Sequence, residues 1–330
     1  MKDTIKQLVE AYGPSGSEEQ VAQLLTNIME ELVDEVYTDE LGNVVAVKKG
    51  NSGAKKVMLA AHMDEIGVIV TDIDEKGFLR FSNIGGVSPH TLIGQRVRFA
   101  NGTIGIFGFE NLEHIKDLNF RKMFIDIGVS SREEAMGKVN IGDAAVYHRE
   151  LCQEGTRLIA KSLDNRISCT VLIEVAKRLK ASPHEIYLVF TSQEEVGLRG
   201  ARTAAYALDP DYGIAVDVTG TGDTPEARRM AVSLGKGTAI KVKDMSVISH
   251  PTVRNLLVNT AEAQGIPYQM EVLDWGGTDA GAIHLTRSGV PTGAVSIPCR
   301  YVHTPSEMVD INDVEHSIQL LVAVLEGPLP

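Results

Sequence analysis

Val57-Met58-Leu59-Ala60-Ala61 is an unbroken apolar run that stops at His62-Met63-Asp64. Four more segments share this pattern. Ile186-Tyr187-Leu188-Val189-Phe190 stops before Thr191-Ser192-Gln193-Glu194-Glu195, and Tyr212-Gly213-Ile214-Ala215-Val216 runs into Asp217. Gly293-Ala294-Val295-Ser296-Ile297 leads through Pro298 to His303, and Leu158-Ile159-Ala160 leads through Lys161, Ser162 and Leu163 to Asp164. Short continuous apolar runs read as strands buried on both faces.

Helical patterns separate these runs. Ser17-Glu18-Glu19-Gln20 fits a capping box. Val21, Leu24, Leu25, Ile28 and Leu32 then recur at helical spacing and make one buried stripe. Asp164 can cap a helix through about Leu179, and a further helix is expected near 200–207. Pro251 suits a helix's first turn, and that helix should end before Gly265. Gly276-Gly277-Thr278-Asp279 reads as a tight turn entering a helix over 280–287. Asp310 or Asn312 can cap a last helix ending before Gly327.

From about residue 67 the texture changes to short strand-like runs. Among them are Gly67-Val68-Ile69-Val70, Phe78-Leu79-Arg80-Phe81, Val97-Arg98-Phe99 and Ala144-Ala145-Val146-Tyr147. Asn101-Gly102 between apolar runs is a tight-hairpin signal. The expected organisation is therefore an α/β domain made of residues 1–66 and 159–330, with a small, mostly antiparallel β domain inserted at 67–158. The insert carries none of the acids or histidines at the other strand ends, which favours binding or assembly over chemistry.

Ligands of open α/β sheets bind beyond the carboxyl ends of the strands. Five segments here deliver two histidines and several acids to one edge. Imidazole and carboxylate suit Zn²⁺, Co²⁺ or Mn²⁺. Three acids and two histidines suffice for two metals if one carboxylate bridges. Neighbouring residues past a strand point different ways, so one of Glu194 and Glu195 can bind metal while the other faces substrate as general base. His62 and Asp64, two apart on an extended segment, point the same way, and the acid can orient the imidazole. Trp275, beside Gly276-Gly277, either lines a pocket or fills core.

Composition narrows the classes. The chain has 330 residues and a net charge of −12, against the basic stripe of a nucleic-acid binder. No run approaches ~18 apolar residues, so no membrane span is expected. The first twenty residues lack a signal-peptide core, which makes cytoplasm the expected compartment. Cys152, Cys169 and Cys299 form no Cys-x-x-Cys spacing, so they read as small buried hydrophobes rather than a disulfide framework or thiolate site.

With these residues in place, the chain resembles the tetrahedral (TET) aminopeptidases, which include glutamyl and deblocking aminopeptidases. The matching motifs are Ala61-His62-Met63-Asp64-Glu65-Ile66-Gly67, Leu163-Asp164-Asn165-Arg166, Gln193-Glu194-Glu195-Val196-Gly197, Asp217, Gly276-Gly277-Thr278-Asp279-Ala280 and Arg300-Tyr301-Val302-His303-Thr304. Tyr12-Gly13-Pro14-Ser15-Gly16 matches too. The resemblance covers essentially the whole chain and implies a mixed-sheet α/β/α metallopeptidase domain with an inserted small β-barrel-like domain for dimerisation. It implies two divalent ions per subunit: one on His62, Asp164 and Asp217, the other on Asp164, Glu195 and His303, with Asp164 bridging. Glu194 is then the general base and Asp64 supports His62. The implied substrates are short peptides with a free N-terminus, and the implied assembly is a dimer that builds a tetrahedral dodecamer. Two rivals use the same residues: a metal-dependent amidohydrolase of N-acyl amino acids, and a non-catalytic protein whose acids bind metal to stabilise an assembly. A closed structural site would leave no acid over, and Glu194 beside Glu195 argues against it. A single tryptophan is a poor basis for a sugar-stacking cleft.

Overall fold

The computed structural model describes residues 1–51 and 53–330. The chain opens with α1 (Lys2–Glu10) and α2 (Glu19–Met29), then β1 (Glu35–Thr38), β2 (Val44–Lys48) and β3 (Lys56–His62). Six strands follow: β4 (Gly67–Ile73), β5 (Leu79–Ile84), β6 (Arg96–Phe99), β7 (Ile104–Phe109), β8 (Met123–Asp126) and β9 (Ala144–Tyr147). Short helices α3 (Pro89–Leu92) and α4 (Arg132–Met136) lie among them. Next come β10 (Cys152–Glu154), β11 (Arg157–Ala160), α5 (Leu163–Arg178), β12 (Glu185–Thr191), α6 (Arg199–Leu208) and β13 (Tyr212–Thr219). The chain ends through β14 (Thr238–Lys243), α7 (Pro251–Gln264), β15 (Tyr268–Val272), α8 (Ala280–Ile283), β16 (Thr292–Arg300), β17 (Glu307–Asp310) and α9 (Ile311–Glu326).

The main sheet is mixed, in the order β1-β2-β12-β3-β13-β16-β17-β11-β10, with β14 and β15 branching from β16. Its centre, β12-β3-β13-β16, is parallel and buried. That burial is why these strands read as unbroken apolar runs. One face packs against α1, α5, α7 and α9, the other against α6 and α8. The result is the expected α/β/α layering.

Strands β4 to β9 close into a six-stranded antiparallel barrel with its own core around Val70, Leu79, Phe99, Phe107 and Ile125. The sequence reading of an inserted β unit holds, but its far edge shifts. β10 and β11 pair with each other and with β17 in the main sheet, so 158 lies inside that sheet rather than at the end of the barrel. The barrel is tied to the end of α1 and the segment after it by the Tyr12 hydroxyl on the Ala144 carbonyl (3.0 Å) and by Arg98 on the Glu10 carbonyl (2.8 Å).

Four local expectations change. Ser17 does not cap α2. The helix starts at Glu19, and Glu18 instead accepts the N–H groups of Gly16 and Gln193. Asp164 makes no capping bond either. It and Asn165 depart from helical φ/ψ, freeing the carboxylate to face away from the helix. The helix after Asp279 ends at Ile283 rather than 287. The helices at Pro251 and Ile311 keep their expected limits, and Asp310 caps the latter through the Asn312 N–H. Cys169 and Cys299 are buried as expected, but Cys152 is exposed. No described helix is long and apolar enough to cross a membrane.

Candidate metal centre

The parallel strands end at one edge. β3 ends on His62, which pairs in register with Thr191 at the end of β12. Asp217 lies within β13, which runs on to Thr219. β16 carries the chain to His303, and β11 carries it to Asp164. Each residue of the Asp-Asn-Arg motif has its own contact. Asn165 donates to the Val216 carbonyl (2.9 Å), which ties the start of α5 to β13. Arg166, fully buried, donates to the Leu8 and Gly13 carbonyls and pairs with Glu65, which also pairs with buried Lys161. Asp164 is left to the site.

Asp164 presents one oxygen to each histidine. Its Oδ1 lies 3.0 Å from His62 Nε2 and its Oδ2 lies 3.2 Å from His303 Nε2. His62 Nε2 is also 3.7 Å from Asp217 Oδ1 and 3.9 Å from Glu194 Oε2. His303 Nε2 is 3.3 Å from Glu195 Oε2. The structure thus brings all five expected ligands and Glu194 to one place. Donor atoms of His62, Asp164 and Glu195 lie within 4.8 Å of one another, as do those of His62, Glu194 and Asp217.

The electrostatics call for cations. Among the described residues, no lysine or arginine pairs with Asp164, Glu194, Glu195 or Asp217. Burial, then the neighbouring acids, raise Glu194 and Asp217 well above the usual carboxylate range, and burial raises Glu195. Asp164 goes the other way: burial is outweighed by His303 and His62, which lower it. Glu195 Oε1 is buried with no hydrogen-bond partner. Buried carboxylates without a lysine or arginine partner are costly, and two imidazoles among four of them form a donor set suited to divalent cations.

Four further features shape this centre, and sequence reasoning anticipated Asp64 only as a support for His62. Asp64 lies 3.5 Å from His62 Nδ1, but its carboxylate mainly accepts the backbone N–H groups of Glu194 and Glu195 and the Ser15 hydroxyl. Glu307 accepts the backbone N–H groups of Asp164 and His303. Asp279 is buried, takes a hydrogen bond from Thr191, and leaves Oδ1 without a partner. The fourth is the barrel, which borders the centre through two glycines. A Cβ on Gly86 would collide with the His303 ring, and one on Gly85 would meet Glu195 Cβ at 3.2 Å. Gly276-Gly277-Thr278-Asp279 and the Gly85-Gly86 pair were visible signals; the backbone-clamping roles of Asp64 and Glu307 had none.

A cavity of about 500 Å³ opens over this cluster. Leu198, Val218, Met245, Leu273, Trp275 and Val302 form much of its wall, with Gly276 and Gly277 beside them. Trp275 therefore lines a pocket. Residues 42–320 match the model of the M42 glutamyl aminopeptidase family. The chain belongs to that family. Its relatives include a putative aminopeptidase of Acetivibrio thermocellus, 53% identical over 98% of both chains. A lysyl aminopeptidase of Pyrococcus furiosus is 39% identical, covering 99% of this chain and 97% of its own. Among solved structures, an aminopeptidase of the archaeon Desulfurococcus kamchatkensis superposes with a TM-score of 0.96 at 40% identity, covering 99% of this chain and 95% of its own. The Pyrococcus horikoshii TET1 peptidase, described as assembling into a tetrahedron or a large octahedral shell, superposes at 0.89 with 31% identity over 99% of both chains. This M42 chain therefore shares its relatives' whole architecture, barrel included.

Proposed function

We propose that this M42 chain is a dinuclear-metal aminopeptidase that removes single residues from the free N-terminus of short peptides. The observation carrying this reading is Asp164, which offers one oxygen toward His62 and the other toward His303. His62, Asp164 and Asp217 would hold one ion, and Asp164, Glu195 and His303 the other. Zn²⁺ or Co²⁺ suits these donors, and Mn²⁺ is tolerated. Bound there, the ions supply Lewis acidity toward a carbonyl and acidify a water.

The chain's own residues supply the rest. Glu194, the acid that neither ion needs, takes a proton from the attacking water and passes one to the leaving amine. Asp64 fixes the Glu194-Glu195 backbone and supports His62. Gln193, Tyr301 and His303 have positive φ. Such left-handed conformations cost non-glycine residues about 1–3 kcal/mol each and persist where surrounding structure enforces them. The acidic cluster draws the substrate's α-ammonium, which an acylated peptide lacks.

The relatives' names differ on the preferred residue, glutamyl in one case and lysyl in another. The cavity favours a third answer. Outside the acidic cluster its walls are apolar or small, and Arg228 stacks over the Trp275 ring at 4.7 Å. Burying a leucine-sized side chain contributes about 1.5–3 kcal/mol. A panel of aminoacyl-nitroanilides with added Zn²⁺ or Co²⁺ should therefore show kcat/KM for leucyl or methionyl substrates at least ~10-fold above glutamyl and lysyl. Preference for glutamyl would reverse this and implicate Arg228, and no hydrolysis of any member would contradict the aminopeptidase reading.

The barrel supports assembly. Outward-facing Ile104 and Ile106 of β7 are exposed, while Gly105 between them and Phe107 after them are buried. We assign the barrel a role in subunit contact within a homo-oligomer, a dimer or its dodecamer. Cytoplasm remains the proposed compartment.

A further inference from the structure

Glu307 is almost wholly buried, and both of its carboxylate oxygens are used on backbone. Oε2 accepts the Asp164 N–H at 2.9 Å and Oε1 accepts the His303 N–H at 2.8 Å. The two partners are far apart in sequence and arrive on different elements. β17 makes the meeting possible. It pairs antiparallel with β11, placing Glu307 opposite Ala160 just upstream of Asp164, and with β16, which delivers His303. We infer that Glu307 is a positioning residue that sets the separation of Asp164 and His303 and thereby tunes one of the two metal sites more than the other.

The inference rests on the reading of Asp164 and His303 as ligands. Both lie on irregular backbone. His303 has φ +63°, a left-handed value for a residue with a side chain, and Ser162, two before Asp164, has φ +57°. Neither segment is held by a regular ladder at these residues, so the Glu307 hydrogen bonds define where their backbones sit. Groups that hold a ligand in place are worth roughly 10- to 100-fold in metal affinity when removed. The effect should be uneven. The site of Asp164, Glu195 and His303 loses support at two ligands, whereas the site of His62, Asp164 and Asp217 loses it at one. A plain structural alternative exists: Glu307 closes the turn between itself and His303, and would then affect stability alone.

The test is calorimetric titration of metal-free protein with Co²⁺, read together with the cobalt absorption spectrum, for wild type, Glu307→Gln, Glu307→Ala and His303→Ala. A glutamine fills the same space but offers one acceptor oxygen, and its NH₂ faces the second N–H donor. Glu307→Gln should weaken one of two cobalt sites by ~10-fold or more while the other changes less. Glu307→Ala should deepen the same asymmetry. If the alanine protein does not fold, the glutamine protein carries the test. Two sites of unchanged affinity in Glu307→Gln, or equal weakening of both with a lowered melting temperature, overturns the inference. Retention of both ions by His303→Ala would instead overturn the ligand reading beneath it, so the two failures are distinguishable.

Discussion

Asp64 Oδ1 accepts the backbone N–H of Glu194 at 3.0 Å, so the proposed base is held from behind by a fully buried carboxylate. Asp64 Oδ2 accepts the next N–H, that of Glu195, at 3.2 Å, and the Ser15 hydroxyl at 2.6 Å. The His62 imidazole, the Ser15 hydroxyl and the Glu194 N–H outweigh burial and keep Asp64 below the ordinary carboxylate range. An ionised Asp64 thus fixes two adjacent acids that turn in different directions, Glu195 toward His303 and Glu194 toward His62.

The division of labour between those acids is open to mutation. Glu194→Gln should retain two metal ions per subunit yet lose at least ~10²-fold in kcat, the scale of one general base. Glu195→Gln should lose occupancy at one site as well. Metal content by elemental analysis beside steady-state kinetics reads both. Loss of metal from Glu194→Gln with retention in Glu195→Gln would exchange the roles.

Protons and metal compete for the same atoms. Burial alone would lower His303, but the Glu195 and Asp164 carboxylates outweigh it and push it up to about 12. Likewise Glu194, Asp164 and Asp64 raise His62 against burial. Burial raises Asp217 and Glu195. In metal-free protein these groups therefore keep protons to higher pH than free side chains do. Ligation must displace them, so affinity rises with pH and binding releases protons. Chelator should abolish peptidase activity, and Zn²⁺, Co²⁺ or Mn²⁺ should restore it. Reloading should weaken as pH falls from about 8 to about 6. Calorimetry in two buffers of different ionisation heat counts the protons. Full activity in protein shown to be metal-free contradicts the prediction.

The buried strands of this fold were legible because a parallel strand covered on both faces must be apolar along its length. The reactive residue at each end stood out against that background, which is why His62, Asp164, Glu194, Glu195, Asp217 and His303 were singled out, and the fold brings them together. The barrel was legible from short strand-like runs and Asn101-Gly102. What stayed hidden acts through backbone. Asp64 and Glu307 hold N–H groups of residues distant in sequence, and nothing in a side-chain pattern encodes which amide an acid will meet. Ser17 misled for a related reason: α2 starts at Glu19, and no local pattern shows that Glu18 will accept the distant Gln193 N–H. Gly85 and Gly86 sit against the metal centre. Their closeness to Glu195 and His303 follows from how the barrel docks, which no local pattern records.

The barrel's assembly role has its own test. Ile104→Asp with Ile106→Asp places two charges on the exposed face of β7 and should shrink the particle by light scattering while metal content per subunit is unchanged. A wild-type protein that is monomeric at micromolar concentration, or a variant of unchanged size, contradicts this assignment.

The account's central claim concerns which bond is cut. One peptide is followed by mass spectrometry with a free and with an acetylated N-terminus, using metal-loaded protein. Loss of one charge-assisted contact costs roughly 1.5–3 kcal/mol. The free peptide should therefore shorten one residue at a time from its N-terminus, and the acetylated form should be cut at least ~10-fold more slowly. Internal fragments as first products, or equal rates on the two peptides, would contradict it and indicate an endopeptidase or a deacylase.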